Sequence, residues 1–418
     1  MSPAFGQVSI STDAEESIGG NARAWGWSPL HGITASNGYL YVMHRNDGGT
    51  DYSILYSSDR GVNWSILDAT LLDYGDNRLG QMVSYSDTVY AWGSNNGAPV
   101  APNEIFKIYG TSVVARDTLD STSYSAMFIR ELPSDTIMYV KKTSNYYLST
   151  NWTDGRLLEG ATWNKGDSTI LLDDTNQEHW AFTPVSDGIL GIMLSDAGGG
   201  AGSYDTAYFW NTTEVYIVDE SITDNMEELG NQNTSIDFIQ MCPADPDDAT
   251  NDTCAFVMQN DSTNRVEFVI GYVDPTSSYA WTEIRRTWVN TAGITFVLTT
   301  PGTHSSPCLQ RTPDGVWIVY YGYWSSTDKG IAYKYSDDDG ATWSDEQILL
   351  TASASNAHMR YRCSFITPEY ASGDSILVGV AYQESWTNDY NLYWIGSTIG
   401  NIAIGGAEAG PPYFPGVK

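Results

Sequence analysis

The sequence predicts a single all-β domain: a seven-bladed β-propeller of four-stranded antiparallel blades, with six or eight blades as alternatives. Three observations carry that reading. Helical periodicity is nearly absent, and short apolar runs alternate with turn residues instead. One strand–turn–strand unit recurs seven times. A nine-residue turn stretch occurs twice, at the same place in two of those units, as "SSDRGVNWS" (57–65) and "SDDDGATWS" (336–344).

The recurring unit is most visible in its second strand. These strands read "YLYVMH" (39–44), "TVYAWG" (88–93), "TIMYVKK" (136–142), "ILGIML" (189–194), "CAFVMQ" (254–259), "VWIVYYG" (316–322) and "SILVGVAY" (375–382). Their starts are 49, 48, 53, 65, 62 and 59 residues apart. Turns such as "SNG", "SDG" and "PDG" precede them, and Asn-Gly and Asp-Gly suit tight hairpins. A third strand follows in most units, as in "YSILYS", "EIFKIYG" and "GIAYKYS". The beat gives blades over 12–70, 80–120, 123–164, 168–222, 234–290, 294–350 and 356–404, within one domain spanning 1–404. A blade cannot bury both faces alone, so the ring must close. "QVSIS" (7–11) could supply the closing strand to the last blade, with "GNIAI" (400–404) its competitor. One short helix is expected at 223–230, and 405–418 reads as a loosely structured tail.

Composition narrows the partners. The chain has 51 Asp and Glu against 20 Lys and Arg, a formal net charge of −31, which argues against nucleic acid. No apolar run approaches the roughly 20 residues that a membrane-spanning helix needs. Fifteen Trp and 28 Tyr suit a large core with aromatics to spare. Residues 1–11 show neither the basic nor the apolar part of a secretory leader. The expectation is an extracellular or virion-surface protein, exported by another route or with its leader removed. Two disulfides suit such a chain, with Cys242 and Cys254 clipping a long hairpin and Cys308 and Cys363 in successive units.

The repeated stretch has a local logic. The Asp carboxylate can accept N–H groups of its own turn, Gly permits positive φ, and Trp supplies an apolar wedge. Ser57, Asp59, Gly61 and Trp64, and again Ser336, Asp338, Gly340 and Trp343, resemble the Asp-box of the sialidase-like, or BNR-repeat, propellers. That resemblance implies a propeller whose boxes are structural turns remote from any chemistry. It does not extend to sialidase activity. That family is six-bladed and carries an early Arg-Ile-Pro signature, and the nearest early arginine here is Arg45 in "VMHRND".

Candidate functional residues cluster by unit. Of five histidines, His179, His304 and His358 stand at or before the first strand of a blade, and His31 lies near the equivalent place. The blades with His304, His358 and His31 are neighbours once the ring closes. Arg311, Arg360 and Tyr361 lie nearby in sequence. A rim of His304, His358, Arg360 and Tyr361 could bind an acidic sugar and abstract a proton, and it resembles the propeller lyases acting on uronate polysaccharides. The alternative is that these histidines bond within the turns leading into the strands, or hold zinc. Trp25, Trp27, Trp324 and Trp386, with His31 and Arg311, are the glycan-binding candidates, since rings stack on sugar faces. Asp245, Asp247, Asp248 and Asp252 in "PADPDDATND" could coordinate calcium, and no cofactor is required by the rest of the sequence. The function these residues suggest is recognition of glycans, a host-surface polysaccharide, or a neighbouring virion or surface protein. A secreted lyase or glycosidase is the alternative.

Overall fold

The computed structural model is all-β, with no helix among the described residues and seven antiparallel sheets of three or more strands in chain order. Sheet 1 comprises Gly32–Thr34, Leu40–Arg45, Asp51–Ser57 and Ser65–Ile66, with Leu72–Asp73 added. Sheet 2 comprises Asn77–Tyr85, Thr88–Asn95, Glu104–Tyr109 and Ser112–Thr118. Sheet 3 holds Ser125–Leu132, Thr136–Lys142 and Tyr146–Thr150, and a two-stranded ribbon, Trp152–Thr153 and Arg156–Leu157, follows it. Sheet 4 holds Gln177–Val185, Gly188–Ser195, Thr206–Asn211 and Val215–Asp219, and sheet 5 holds Ile236–Asp245, Asp252–Asn260, Arg265–Asp274 and Ala280–Trp288. Sheet 6 is Cys308–Arg311, Trp317–Trp324, Asp328–Ser336 and Gln347–Ser353. Sheet 7 is His358–Glu369, Ser375–Trp386, Asp389–Ile399 and Val8–Ala14. The structure describes these strands with residues 35, 37–39, 58–64, 67, 87, 110–111, 289–290, 307, 312, 315–316 and 337–346. The expected helix at 223–230 and the tail lie outside them.

The sheets are the blades of a propeller. Each sheet's first strand is innermost, and successive innermost strands pack side by side. His358–Glu369 lies against both Cys308–Arg311 and Gly32–Thr34, so the last sheet meets the first. The chain's start completes that closure. Val8–Ala14 pairs antiparallel with Asp389–Ile399, Val8 opposite Trp394 and Ala14 opposite Tyr390, as "QVSIS" led us to expect.

The second strands read as unbroken apolar runs because both of their faces are buried. Val316, Ile318 and Tyr320 share a core with Ile395 of sheet 7, while Trp317, Val319 and Tyr321 share another with Val266, Phe268 and Ile270 of sheet 5. Sheet 1 divides likewise. Tyr41 and Ile54 pack with Met82, Val89 and Phe106 of sheet 2, leaving Leu40, Val42 and Leu55 on the face toward sheet 7. At roughly 25 cal/mol per Å² of apolar surface, these double-sided strands supply much of the driving force for folding.

The two repeated turns have one geometry. Ser57 Oγ donates to Asp59 Oδ1 at 2.8 Å and accepts the Gly61 N–H at 2.8 Å; Ser336 Oγ does the same with Asp338 and Gly340 at 2.8 and 2.8 Å. Asp59 accepts from the Asn63 backbone and side chain, and Asp338 from the Thr342 backbone and hydroxyl. Gly61 and Gly340 have φ of 83° and 77°, a left-handed conformation that suits glycine.

Register and burial correct the disulfide expectation. Cys242 pairs with Ala255 and Cys254 with Pro243, so the two cysteine positions fall on opposite faces of their hairpin. Cys254 and Cys308 are buried thiols, neither of them in a disulfide. Cys308 lies in the core toward sheet 7. Position 363 pairs with Ala381, which pairs with Trp394, on the face turned away from sheet 6. An irregularity between Tyr361 and Cys363 is what turns it, because one extra residue reverses the alternation of a strand.

Candidate functional site at the rim of sheets six, seven and one

One end of each sheet, here the rim end, holds the start of the innermost strand and the hairpin between the second and third strands. In sheet 7, His358 opens the innermost strand opposite Ser385, and Trp386 closes the neighbouring hairpin opposite Asp389. In sheet 6, Trp324 closes the equivalent hairpin opposite Lys329. Trp324, Trp386, His358, Arg360 and Tyr361 therefore stand at one end of two adjacent sheets. His304, Trp25, Trp27 and His31 lie outside the described residues.

Arg311 does not join them. It ends the innermost strand of sheet 6, opposite Trp317 and beside the turn at Thr312–Val316, at the end away from the rim. Its guanidinium lies over the Trp317 ring at 5.3 Å, which accounts for the residue structurally.

The faces of sheet 7 sort the remaining positions. Trp394 packs against Gly61 and Trp64, so its face looks to sheet 1; Ile395 packs with Cys308 and Tyr320, so its face looks to sheet 6. Across the sheet, Arg360 pairs with Gln383 and Gln383 with Leu392, the row next to that of Trp394. His358, Ser385 and Tyr390 form the row beyond it on the same face. Tyr361 pairs with Tyr382 and Tyr382 with Tyr393, on the face of Ile395. Position 324 shares the face of Tyr320, so it looks to sheet 7. The rim thus has two seams. Trp324 and Tyr361 belong to the seam between sheets 6 and 7, and His358 and Arg360 to that between sheets 7 and 1.

Sequence alternation put Arg360 and Arg362 on one face. Instead, Arg362 is the extra residue of the irregularity, without a partner position in the ladder. Comparable register shifts lie near the rim end of four other innermost strands, at 79–82, 126–128, 177–179 and 237–239. Such bulges re-aim side chains and gather beside functional sites, and nothing in the composition of these segments marks them.

One position at this end escaped the sequence reading. His44 pairs with Ser53 and follows Leu40 and Val42 on the face of sheet 1 that looks to sheet 7. Its place inside the run "YLYVMH" gave it the aspect of a core strand residue, and only the division of faces separates it from that run.

Elsewhere, the buried ionisable group is Glu267 in sheet 5. Its side chain is 1% exposed, with Arg286 at 3.5 Å and Glu283 on the far side of the same arginine at 2.6 Å. Burial pushes its carboxyl up to about 7 against the pull of Arg286. It lies three strands out from the channel and outside the rim. Among the described residues no cluster of His, Cys, Asp or Glu is placed to hold a metal ion. Asp245 and Asp252 end the two strands of the sheet 5 hairpin, while Asp247 and Asp248 lie outside the described residues. No helix among the described residues is long and apolar enough to cross a membrane.

The arrangement defines a class, the β-propellers, and solved structures agree. No family model matches the sequence, and no curated protein matches it either. The fold is similar to that of a PL25 polysaccharide lyase, an ulvan lyase bound to -[GlcA(1-4)Rha3S]-. The TM-score is 0.50 and the identity 12%, covering 96% of this chain and 98% of that one. The β-propeller domain of Nup133 from Vanderwaltozyma polyspora follows at a TM-score of 0.46, with 12% identity over 95% and 98% of the two chains. A Hadza microbial sialidase, Hz136, matches at 0.42, with 13% identity over 92% of this chain and 68% of that one. At these identities the likeness establishes the fold.

Proposed function

We propose that this propeller is a carbohydrate-recognition module that holds an acidic glycan at the rim of sheets 6, 7 and 1. The observation that supports the reading is the convergence of Trp324, Trp386, Tyr361, His358 and Arg360 at one end of adjacent sheets. Aromatic rings stack on sugar faces at low entropic cost, and a guanidinium matches a carboxylate or sulfate in a fork. The chain's net charge of −31 opposes an acidic ligand only over distance. At physiological salt that field fades within about 8 Å, so a local arginine decides the matter. The reading carries an extracellular or virion-surface location. It also treats the two S-x-D-x-G turns as Asp-boxes that build the ring, with any calcium at the Asp245–Asp252 hairpin peripheral to the ligand.

Polysaccharide cleavage by β-elimination is the second reading. It is favoured by His358 and Arg360 sharing one face, where one could take a proton and the other neutralise the carboxylate that acidifies it. Tyr361, on the opposite face, would not act with them. The test is incubation with sialosides, uronate polysaccharides and neutral glycans, reading bound ligand and released products by mass spectrometry. Binding without products, weakened by Trp324→Ala, supports recognition. Unsaturated products that vanish in His358→Ala turn the protein into a lyase. No binding to any member of the panel overturns both.

A further inference from the structure

We infer that the seam between sheets 7 and 1 is an anion subsite, and that His44 is its third member beside His358 and Arg360. The inference rests on the proposed carbohydrate reading for its ligand, but its geometry stands apart from it. From one side, Leu40, Val42 and His44 succeed one another along the face of sheet 1 that looks to sheet 7, with His44 nearest the rim. From the other, the rows of Trp394, Arg360 and His358 climb the face of sheet 7 that looks to sheet 1, with His358 nearest the rim. Trp394 meets Gly61 and Trp64 across this seam, and the innermost strands Gly32–Thr34 and His358–Glu369 pack side by side. Both faces are apolar at depth and turn basic at the same end.

That pattern is unusual for this chain. Its 20 Lys and Arg and five His are outnumbered about twofold by 51 acidic residues, yet three of them meet at one seam. Basic groups that face each other across a packed interface repel unless an anion lies between them. A carboxylate or sulfate ester on a sugar has the charge and the acceptor oxygens to fill that role, and a neutral sugar does not. The aromatic seam between sheets 6 and 7 would then hold ring faces while the basic seam reads the acidic substituent. The ligand class is a polysaccharide carrying uronate or sulfate groups, spanning both seams.

The test has two arms on the full chain. Isothermal titration with oligoglucuronate, dextran sulfate and dextran compares wild type with His44→Gln and Trp324→Ala. His44→Gln is expected to weaken the acidic ligands by about tenfold, the loss of roughly one charge-assisted hydrogen bond, and to leave dextran unchanged. Trp324→Ala is expected to weaken all that bind. In the second arm, sodium sulfate and glucuronate are titrated while the five histidine ring signals are followed by nuclear magnetic resonance. Assignment comes from His44→Gln and His358→Gln. His44 and His358 are expected to shift together. If Trp324→Ala weakens binding but His44→Gln does not, and the His44 signal stays still, the seam is wrong while the carbohydrate reading survives. If no oligosaccharide binds yet both signals move with sulfate, the anion subsite survives and the carbohydrate reading falls.

Discussion

Gly61 lies against the indole of Trp394, and Gly340 lies against the ring of Phe268. In each case the turn after a sheet's third strand leans on the third strand of the preceding sheet. Sheet 1 leans on sheet 7 in the first case, and sheet 6 leans on sheet 5 in the second. The tryptophan of each turn follows its glycine. Trp64 and Trp394 have ring centroids 6.3 Å apart, and Trp343 and Phe268 5.2 Å. The turn of sheet 2 does the same without the motif, through Tyr41 Oη donating to Gly110 O at 2.7 Å. These turns fasten neighbouring sheets together.

Alanine at Gly61 or Gly340 should therefore destabilise the whole ring. A Cβ at either site would fall inside van der Waals contact with the facing ring, and φ would remain in the left-handed region. Left-handed strain of about 1–2 kcal/mol and overpacking of about 1–3 kcal/mol predict a loss of at least about 2 kcal/mol for each variant. Urea unfolding monitored by tryptophan fluorescence checks this. A loss below about 0.5 kcal/mol would mean that the facing rings yield freely.

The two turns differ in one bond, which gives a second prediction. Trp64 Nε1 donates to its own Gly61 O at 3.0 Å, whereas Trp343 Nε1 donates to Thr287 Oγ1 at 3.2 Å, and that hydroxyl donates to Gly340 O at 2.9 Å. Thr287 of sheet 5 thus stands inside the turn of sheet 6. Thr287→Val removes an acceptor and a donor together and should cost about 1–3 kcal/mol, since both partners are left wanting. Thr287→Ser keeps the relay and should recover most of that in the same unfolding assay. Equal losses in both would show that the methyl packing, not the relay, is what matters.

The seven second strands and the repeated turns were legible in the sequence for physical reasons. A strand buried on both faces must be apolar at every position, as at 316–321, and a turn closed by its own Ser and Asp has all its determinants within nine residues. What depends on the relation between sheets was not legible. The extra residue at Arg362 reverses the alternation that follows it, carrying position 363 away from Cys308. Arg311 and Arg360 both stand on innermost strands, but at opposite ends of them, and only the hairpin registers tell the ends apart. His44 was hidden by the apolar company of its strand.

Closure by Val8–Ala14 gives a third prediction. Without it, Asp389–Ile399 would present an open edge of backbone donors and acceptors, a template for pairing with another chain. Removing residues 1–14 should lower the melting temperature and promote concentration-dependent association, read by light scattering. A monomeric deletion variant with an unchanged melting temperature would show that the strand is dispensable.

Stability should also depend on pH in two separate windows. Partial burial alone would lift the carboxyls of Asp59 and Asp338, but hydrogen bonds from Asn63 and Ser57, and from Thr342 and Ser336, hold both below the usual value. Groups depressed in the folded state stabilise it above the ordinary carboxylate range, and that contribution is lost as pH falls through their folded values. Glu267 behaves in the opposite sense. Its carboxyl is lifted by burial from 4.5 to about 7, so between those values the folded chain holds a proton that the unfolded chain has released. Stability should then fall as pH rises from about 4.5 to about 7, by an amount on the order of 3 kcal/mol, since each unit is worth about 1.4 kcal/mol. Glu267→Gln should flatten that window, because it removes the buried charge while Arg286 keeps Glu283 at 2.6 Å. Unfolding free energies of both proteins at half-unit steps from pH 4 to 8 decide the matter. A wild-type curve that is level across the window, or a Gln variant with the same slope, would place the proton elsewhere.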